Sequence, residues 1–245
     1  MKRLFIFTSL ILVISVQSLF ALTGREIIEK SEKQAKPKST KSKITMSIYK
    51  GSSVQQKEFL LFQKSINGED KVLITFTKPT QIKVLTHTHK NSEDDQWLSL
   101  SSGKVKRLVG GDKSESFVQS HMTYEDLESR EINNYDYKLI KEADVNGEAC
   151  YLVDAVKKSG NKTYDKNTLY VRKSDFNIVK LDFYQKGKLL KFLENQKISK
   201  ISGITTPMKI VVSMADGSGR TELVVEKIIY NKEIEDSKFS KDALR

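Results

Sequence analysis

The sequence holds one cysteine, Cys150, which rules out an intramolecular disulfide framework and every cysteine-based zinc knuckle or cluster. Proline is almost as scarce, at three residues, and glycine stands at 12, too little of either for a fibrous or low-complexity chain. The patterns GxGxxG, GxxxxGK[ST], HExxH and GxSxG do not occur, so the common dinucleotide, P-loop, zinc-protease and serine-hydrolase signatures are missing. Histidine is limited to His87, His89 and His121. What remains is 38% apolar and 30% charged residues over 245 positions, too apolar for a disordered tail, so stability must come from packing. No cofactor is expected, and an enzyme is the weaker expectation.

Lys2-Arg3, an apolar run over 4–16 and then Gln17-Ser18-Leu19-Phe20-Ala21 have the order of a secretory signal peptide, with cleavage expected after Ala21. The run is shorter than the ~20 residues of a membrane-spanning helix. No cysteine stands directly after it, so residues 22–245 are expected as one exported domain that carries no lipid of its own. Removing Lys2 and Arg3 from 42 basic residues leaves 40 against 31 acidic ones, a formal net charge of +9. Such a surplus suits an anionic membrane surface or an acidic protein face, and export makes nucleic acid an unsuitable partner. Cys150 sits in the strand-like run Ala149-Cys150-Tyr151-Leu152-Val153, where an inert buried thiol is expected.

Thr23-Gly24-Arg25-Glu26 fits a capping box, and Ile27, Ile28 and Ala35 extend it into a predicted helix over 24–35 that ends at Lys36-Pro37. Beyond it the period becomes two. Ile44, Met46 and Ile48 alternate with Thr45, Ser47 and Tyr49, Val72, Ile74 and Phe76 alternate with Leu73, Thr75 and Thr77, and further runs lie near 55–63, 82–90, 96–100, 104–109, 137–143, 148–157, 167–173, 177–186, 188–200, 204–214 and 220–230. Asn67-Gly68, Asn146-Gly147, Lys186-Gly187, Ser202-Gly203 and Asp216-Gly217 supply hairpin turns, so the runs predict an antiparallel meander of about a dozen strands, too many to stay flat. One face of the curled sheet is expected to be apolar: Val179, Leu181 and Phe183 on one strand, Met208, Ile210, Val212 and Met214 on another, Leu223, Val225 and Ile229 on a third. That face is read either as a filled core or as the lining of an apolar cavity, for which unbranched methionines are suited.

The stretch Ser116-Phe117-Val118-Gln119-Ser120-His121-Met122-Thr123-Tyr124-Glu125-Asp126-Leu127 resembles the SF-x-GSDF-[ST]-YEDL segment of the outer-membrane lipoprotein-sorting, or LolA-like, family. Phe76-x-Lys78-Pro79, Asp94-Asp95-Gln96-Trp97-Leu98, Val105-Lys106-Arg107-Leu108, Tyr164, Thr206-Pro207-Met208, Thr221-x-Leu223 and the ending Phe239-Ser240-x-x-x-Leu244 are similar too. Gln119 and His121 depart from the family's Gly and Asp, Ser99 and Ser101 from its Tyr and Pro, and Lys83 from its Gly. The resemblance implies an incomplete antiparallel β-barrel of about eleven strands over a helical lid. It also implies a non-enzymatic periplasmic carrier that takes the acyl chains of lipoproteins, or phospholipid, into an apolar cavity for transfer towards the outer membrane. An inner-membrane transporter or exporter is the implied protein partner. Trp97, Phe117 and Met122 join the strand residues named above as cavity candidates. A chain of ~16 carbons costs on the order of 10 kcal/mol to expose to water, so a soluble carrier needs such a hollow.

Two other readings compete. One is an accessory of a membrane exporter or an envelope-stress sensor that uses the fold as an interaction surface. The other is a metal site at His87 and His89 with Glu93, Asp94 and Asp95, a weak spacing. Glu125 and Asp126 are adjacent and are expected to cap a turn with Thr123 rather than to share a substrate. Asn161-Lys162-Thr163 matches a glycosylation acceptor, a pattern common by chance.

Overall fold

Thr23 accepts the main-chain N–H of Glu26 while the Glu26 carboxylate accepts that of Thr23, so the capping box forms and starts helix α1 (Gly24–Glu32). This computed structural model describes residues 22–90, 92–159 and 163–245; the signal-peptide segment with its Ala21 cleavage point, and Asn161-Lys162 of the acceptor, lie outside the described residues. The helix ends at Lys33, short of the predicted residue 35 and of Pro37, because only Ile27 and Ile28 in its stripe find apolar partners and Ala35 does not extend it.

The alternating runs form strands β1 (Ser39–Lys50), β2 (Ser53–Ile66), β3 (Glu69–Lys78), β4 (Lys83–His87), β5 (Asp95–Ser99), β6 (Val105–Leu108), β7 (Tyr135–Val145), β8 (Glu148–Lys157), β9 (Lys166–Arg172), β10 (Ile178–Gln185), β11 (Lys188–Ile201), β12 (Ile204–Met214) and β13 (Gly219–Tyr230). All belong to one antiparallel sheet in the order β6-β5-β4-β3-β2-β1-β13-β12-β11-β10-β9-β8-β7, an unclosed barrel. The strands number 13, matching the alternating runs one for one, against the eleven or so implied by the resemblance. Asn67-Gly68, Asn146-Gly147, Lys186-Gly187 and Ser202-Gly203 hold positive φ at both positions, the backbone that tight hairpins require.

Two meanders, β1 to β6 and β7 to β13, meet through the β1–β13 pair, which leaves β6 and β7 as free edges. The connection between those edges, residues 109–134, therefore spans the sheet, and it does so as short 3-10 turns. Directly paired residues share a face, and one row runs Ile48–Thr221–Val212–Leu193–Leu181–Leu169–Val153–Leu139 across eight strands. We call this the inner face, because α1 and the 109–134 connection lie on it; the C-terminal strap, residues 231–245, crosses the opposite face over β2 to β5.

Three expectations about facing are corrected. A bulge between Ile178 and Lys180 reverses the alternation of β10, so Val179 turns away from Leu181 and Phe183 and packs with Cys150 and Leu152 on the strap face. Trp97 lies between the inward Gln96 and Leu98 and packs on the strap with Leu73, Leu85 and Phe239. A bulge opposite Lys43 and Ile44 does the same on β13: Leu223 and Val225 stay on the inner face, whereas Ile229 pairs with Lys41 on the strap face and Ile228 takes the inward position.

Candidate functional site

The inner face carries two apolar clusters that meet at Leu193. The smaller lies under α1, where Ile27 and Ile28 pack on Val153, Ala155, Leu169, Val171, Leu181 and Phe183. Gly24 makes this approach possible, since a Cβ there would sit 2.6 Å from the Leu139 main-chain nitrogen. The larger brings together Ile44, Met46, Ile48, Phe59, Ile74, Phe76, Val212 and Leu223, with Val72, Leu61 and Ile210 at its margin. The cover over this larger half is not α1 but the connection: Phe117, Val118, Met122 and Tyr124 are buried in the same cluster. Rings pass from sheet to cover as Phe59–Phe76–Phe117–Tyr124, at centroid spacings of 5.0, 5.7 and 5.7 Å. Phe117 and Met122 are thus part of the cover, while Met208 and Met214 are half-buried on β12.

Four polar side chains on the inner face hold the cover by its backbone. The buried Lys57 ammonium donates to Val118 O at 2.8 Å, and Gln96 Nε2 donates to Tyr124 O at 3.0 Å. Lys191 Nζ donates to His121 O at 3.0 Å, and Thr221 Oγ1 accepts the His121 N–H at 3.0 Å. Each of the four stands two residues before an inward apolar residue: Phe59, Leu98, Leu193 and Leu223. That in-phase polar residue in an apolar alternation was the available signal, and sequence reasoning missed it. Burial lowers the affinity of Lys191 for its proton, opposed by the Asp126 carboxylate, and lowers that of Lys57, where Lys50 adds to the effect.

The Tyr124–Leu127 segment is now explained residue by residue. Tyr124 plugs the apolar cluster and Leu127 packs against it. Asp126 and Thr123 cap one another, Asp126 accepting the Thr123 N–H at 2.8 Å. Asp126 also accepts from Lys191 at 2.6 Å and from the Tyr164 hydroxyl at 2.7 Å. Glu125 accepts from Thr163 and faces Lys157 at 3.6 Å, which ties the cover to the β8–β9 connection. Burial, reinforced by Asp126, raises the Tyr164 phenol far above its usual value, so it stays a donor. Glu128 is pushed up by burial against the pull of Lys113.

Between cover and α1 half lies a cavity of about 170 Å³, lined by Glu125, Asp126, Tyr164, Asn167, Phe183 and Leu193 among others. This is smaller than the roughly 300–1,000 Å³ of ordinary ligand pockets, and beside it the buried Phe117, Val118, Met122 and Tyr124 of the cover fill the larger cluster. The histidines of the metal reading part company: His87 Nε2 meets Phe239 O at 2.8 Å, whereas His89 faces Asp95 and Glu69 at 3.3 and 3.4 Å. Asp94 accepts from Ser129 and from the His89 N–H. Among the described residues no group of three or more His, Cys, Asp or Glu side chains is placed to hold a metal ion. Cys150 is fully buried, and burial raises its thiol pKa, as an inert cysteine requires.

A family model described as uncharacterized protein-like matches residues 68–245. Among solved structures, a DUF1329 family protein from Desulfovibrio piger ATCC 29098 superposes with a TM-score of 0.86 at 26% identity, over 91% of this chain and 98% of that one. An outer membrane lipoprotein-sorting protein domain from Vibrio parahaemolyticus gives 0.85 at 26% identity, over 90% and 97%. A LolA superfamily protein from Nitrosomonas europaea shares the fold, with a TM-score of 0.72 at 20% identity over 91% and 100%. No curated protein matches the chain.

Proposed function

From the premise that this chain belongs to the family whose model it matches, a LolA-like family of lipoprotein-sorting fold, we propose that it is a periplasmic carrier. On this reading the inner face takes up acyl chains of lipoproteins, or phospholipid, for delivery towards the outer membrane. The observation that carries it is the relation between the inner face and its cover. An apolar face spanning the sheet is closed by a segment whose own Phe117, Val118, Met122 and Tyr124 stand where acyl chains would lie. The segment is held by polar side-chain bonds to its backbone rather than by strand pairing. Each such bond nets about 0.5–1.5 kcal/mol, or about 1.5–3 where the donor is an ammonium, and cargo that replaces the apolar contacts of the cover in kind offsets part of the cost of opening. The fold is of carrier type and calls for no catalytic residue. The basic surplus attracts the carrier to anionic membrane surfaces, and a transporter or exporter of the inner membrane would load it.

The test is native mass spectrometry of residues 22–245, purified without detergent, before and after incubation with a fluorescent fatty acid. An adduct whose formation raises hydrogen exchange over 117–127 supports the carrier. A chain that takes up no lipid refutes it, and favours the second reading, an exporter accessory or envelope-stress sensor acting through protein contacts. The specific observation behind that reading is the small volume left under the cover.

A further inference from the structure

A cavity of about 860 Å³ lies on the strap face, between the sheet and the C-terminal strap, within the range of ordinary ligand sites. Its floor is apolar. Phe62 and Leu73 are paired neighbours on β2 and β3, and Ile234 of the strap, 3% exposed, packs against the same cluster. The strap is pinned on both sides of the opening. Lys64 Nζ donates to Ile234 O at 2.8 Å, and Lys83 Nζ to the main-chain oxygens of Ala243 and Arg245 at 2.7 and 3.0 Å. Ser99 Oγ holds Leu244 O at 2.8 Å. Lys83 and Ser99, both departures from the family pattern, are therefore strap anchors.

The rim carries charge of both signs that does not neutralise itself. Lys41, the direct partner of Phe62, and Lys238, whose ammonium lies 4.2 Å from the Phe62 ring centroid, line the cavity with Glu233 and Glu235. Glu233 and Glu235 flank the inward Ile234 and are exposed. None of these four charges forms an ion pair with another described residue, although Lys and Glu stand on one rim. An apolar floor bordered by separated ammonium and carboxylate groups complements a single-chain amphiphile whose head bears both a phosphate and an amine. The geometry points to a second lipid site here: the acyl chain lies on Phe62 and Leu73, the phosphate faces Lys41 and Lys238, and the amine faces Glu233 and Glu235. This site is separate from the inner face on which the proposed carrier function rests.

The test is a titration of the full exported chain with lysophosphatidylethanolamine, lysophosphatidylglycerol and dodecanoate, read by native mass spectrometry. Both lysolipids offer the phosphate, but only the first offers the amine. The ethanolamine lipid is expected to bind about fivefold more tightly than the glycerol lipid, the size of one or two solvent-exposed charge contacts. The exposed double variant Glu233→Lys/Glu235→Lys is expected to abolish or invert that ratio without changing uptake of fluorescent fatty acid. A ratio unchanged in this variant overturns the site, as does the absence of any lysolipid adduct. Inner-face variants Met46→Lys and Val212→Lys separate the two conclusions, with circular dichroism confirming that each folds. If they abolish the headgroup preference while the strap variant retains it, the lipid lies on the inner face and the strap site fails. If they leave all acyl binding intact while the strap variant abolishes the preference, the strap site stands and the carrier reading of the inner face fails.

Discussion

Lys191 Nζ of β11 lies 2.6 Å from Asp126 Oδ2 of the cover, and the two side chains are only 2% and 7% exposed. A buried ion pair of this kind is weak evidence for net stability but strong evidence for geometry, because either charge alone is left without solvent or counter-charge. Here the pair joins the middle of the sheet to the capped turn of residues 123–126, with the Tyr164 hydroxyl completing the acceptor shell of Asp126.

Removing one partner should therefore cost far more than removing both. Lys191→Met is expected to destabilise the closed form by about 3–5 kcal/mol, and Lys191→Met/Asp126→Asn by less than the single variant. Urea unfolding gives the global numbers, and hydrogen exchange over 117–127 shows whether the loss is confined to the cover. A double variant no more stable than Lys191→Met would show that the pair does not position the turn.

His121 makes the closure sensitive to pH. Burial lowers its pKa from 6.5, helped by Lys50 of β1 and Lys191 of β11, while a backbone hydrogen bond with Arg220 and the carboxylate of Asp216 oppose the shift. When the cover leaves the sheet, the imidazole returns towards its ordinary value and binds a proton more readily than in the closed form. Closure is then fully stable above about pH 6.5 and weakens as pH falls through 6.5 towards the depressed value. Exchange protection of 117–124 should drop between about pH 7 and about pH 5 in the parent and stay flat in His121→Asn. Equal drops in both would assign the acid response to other groups.

Val118 and Gln119 occupy left-handed backbone, with φ of 49° and 67°. A β-branched residue there is strained, and the Lys57 bond to Val118 O holds the conformation. Where the family pattern has Gly, this chain has Gln119 and keeps the same turn at a cost. Gln119→Gly relieves about 1–2 kcal/mol of that strain and gives back about 0.5–1 in unfolded-chain entropy, so a net gain of up to about 1.5 kcal/mol is expected in urea unfolding. A loss of stability would mean that the glutamine side chain contributes more than its backbone costs.

Much of this architecture was readable because its signals are local. The capping box at Thr23, the Asn-Gly and Ser-Gly turns and the alternation of Ile44, Met46 and Ile48 or of Leu181 and Phe183 all depend on near neighbours, and the structure follows them. Val179 and Ile229 were misread because a bulge shifts parity without leaving a mark in hydrophobicity. Trp97 was misread because its strand is shielded on both faces, inside by the cover and outside by the strap, so its alternation has no polar side. The cover was visible only as a motif: Tyr124 to Leu127 has no period, and its anchors Lys57, Gln96, Lys191 and Thr221 are distant in sequence.

The one tryptophan of the chain reports on the strap. Trp97 is 6% exposed, meets the His87 ring edge-on at 5.1 Å, and carries the Lys241 ammonium 4.6 Å above its face. Phe239 and Leu244, each 1% exposed, fill the space between strap and sheet beside it. Truncating two such anchors removes about 5–10 kcal/mol of packing if fully felt, more than a strap without strand pairing can withstand. In Phe239→Ala/Leu244→Ala the strap should detach while the sheet persists. Trp97 emission should then move to the red and become accessible to acrylamide, with far-UV circular dichroism nearly unchanged. Lys191→Met, which acts on the other face, should leave Trp97 emission where it is. If the strap variant kept the parent spectrum, the packing of Trp97 would have to come from the sheet alone, and the cavity beneath the strap would lose its roof as a defined element. If both variants shifted the spectrum together, the two faces would be opening as one unit, and cargo on the inner face and amphiphile on the outer one would be coupled.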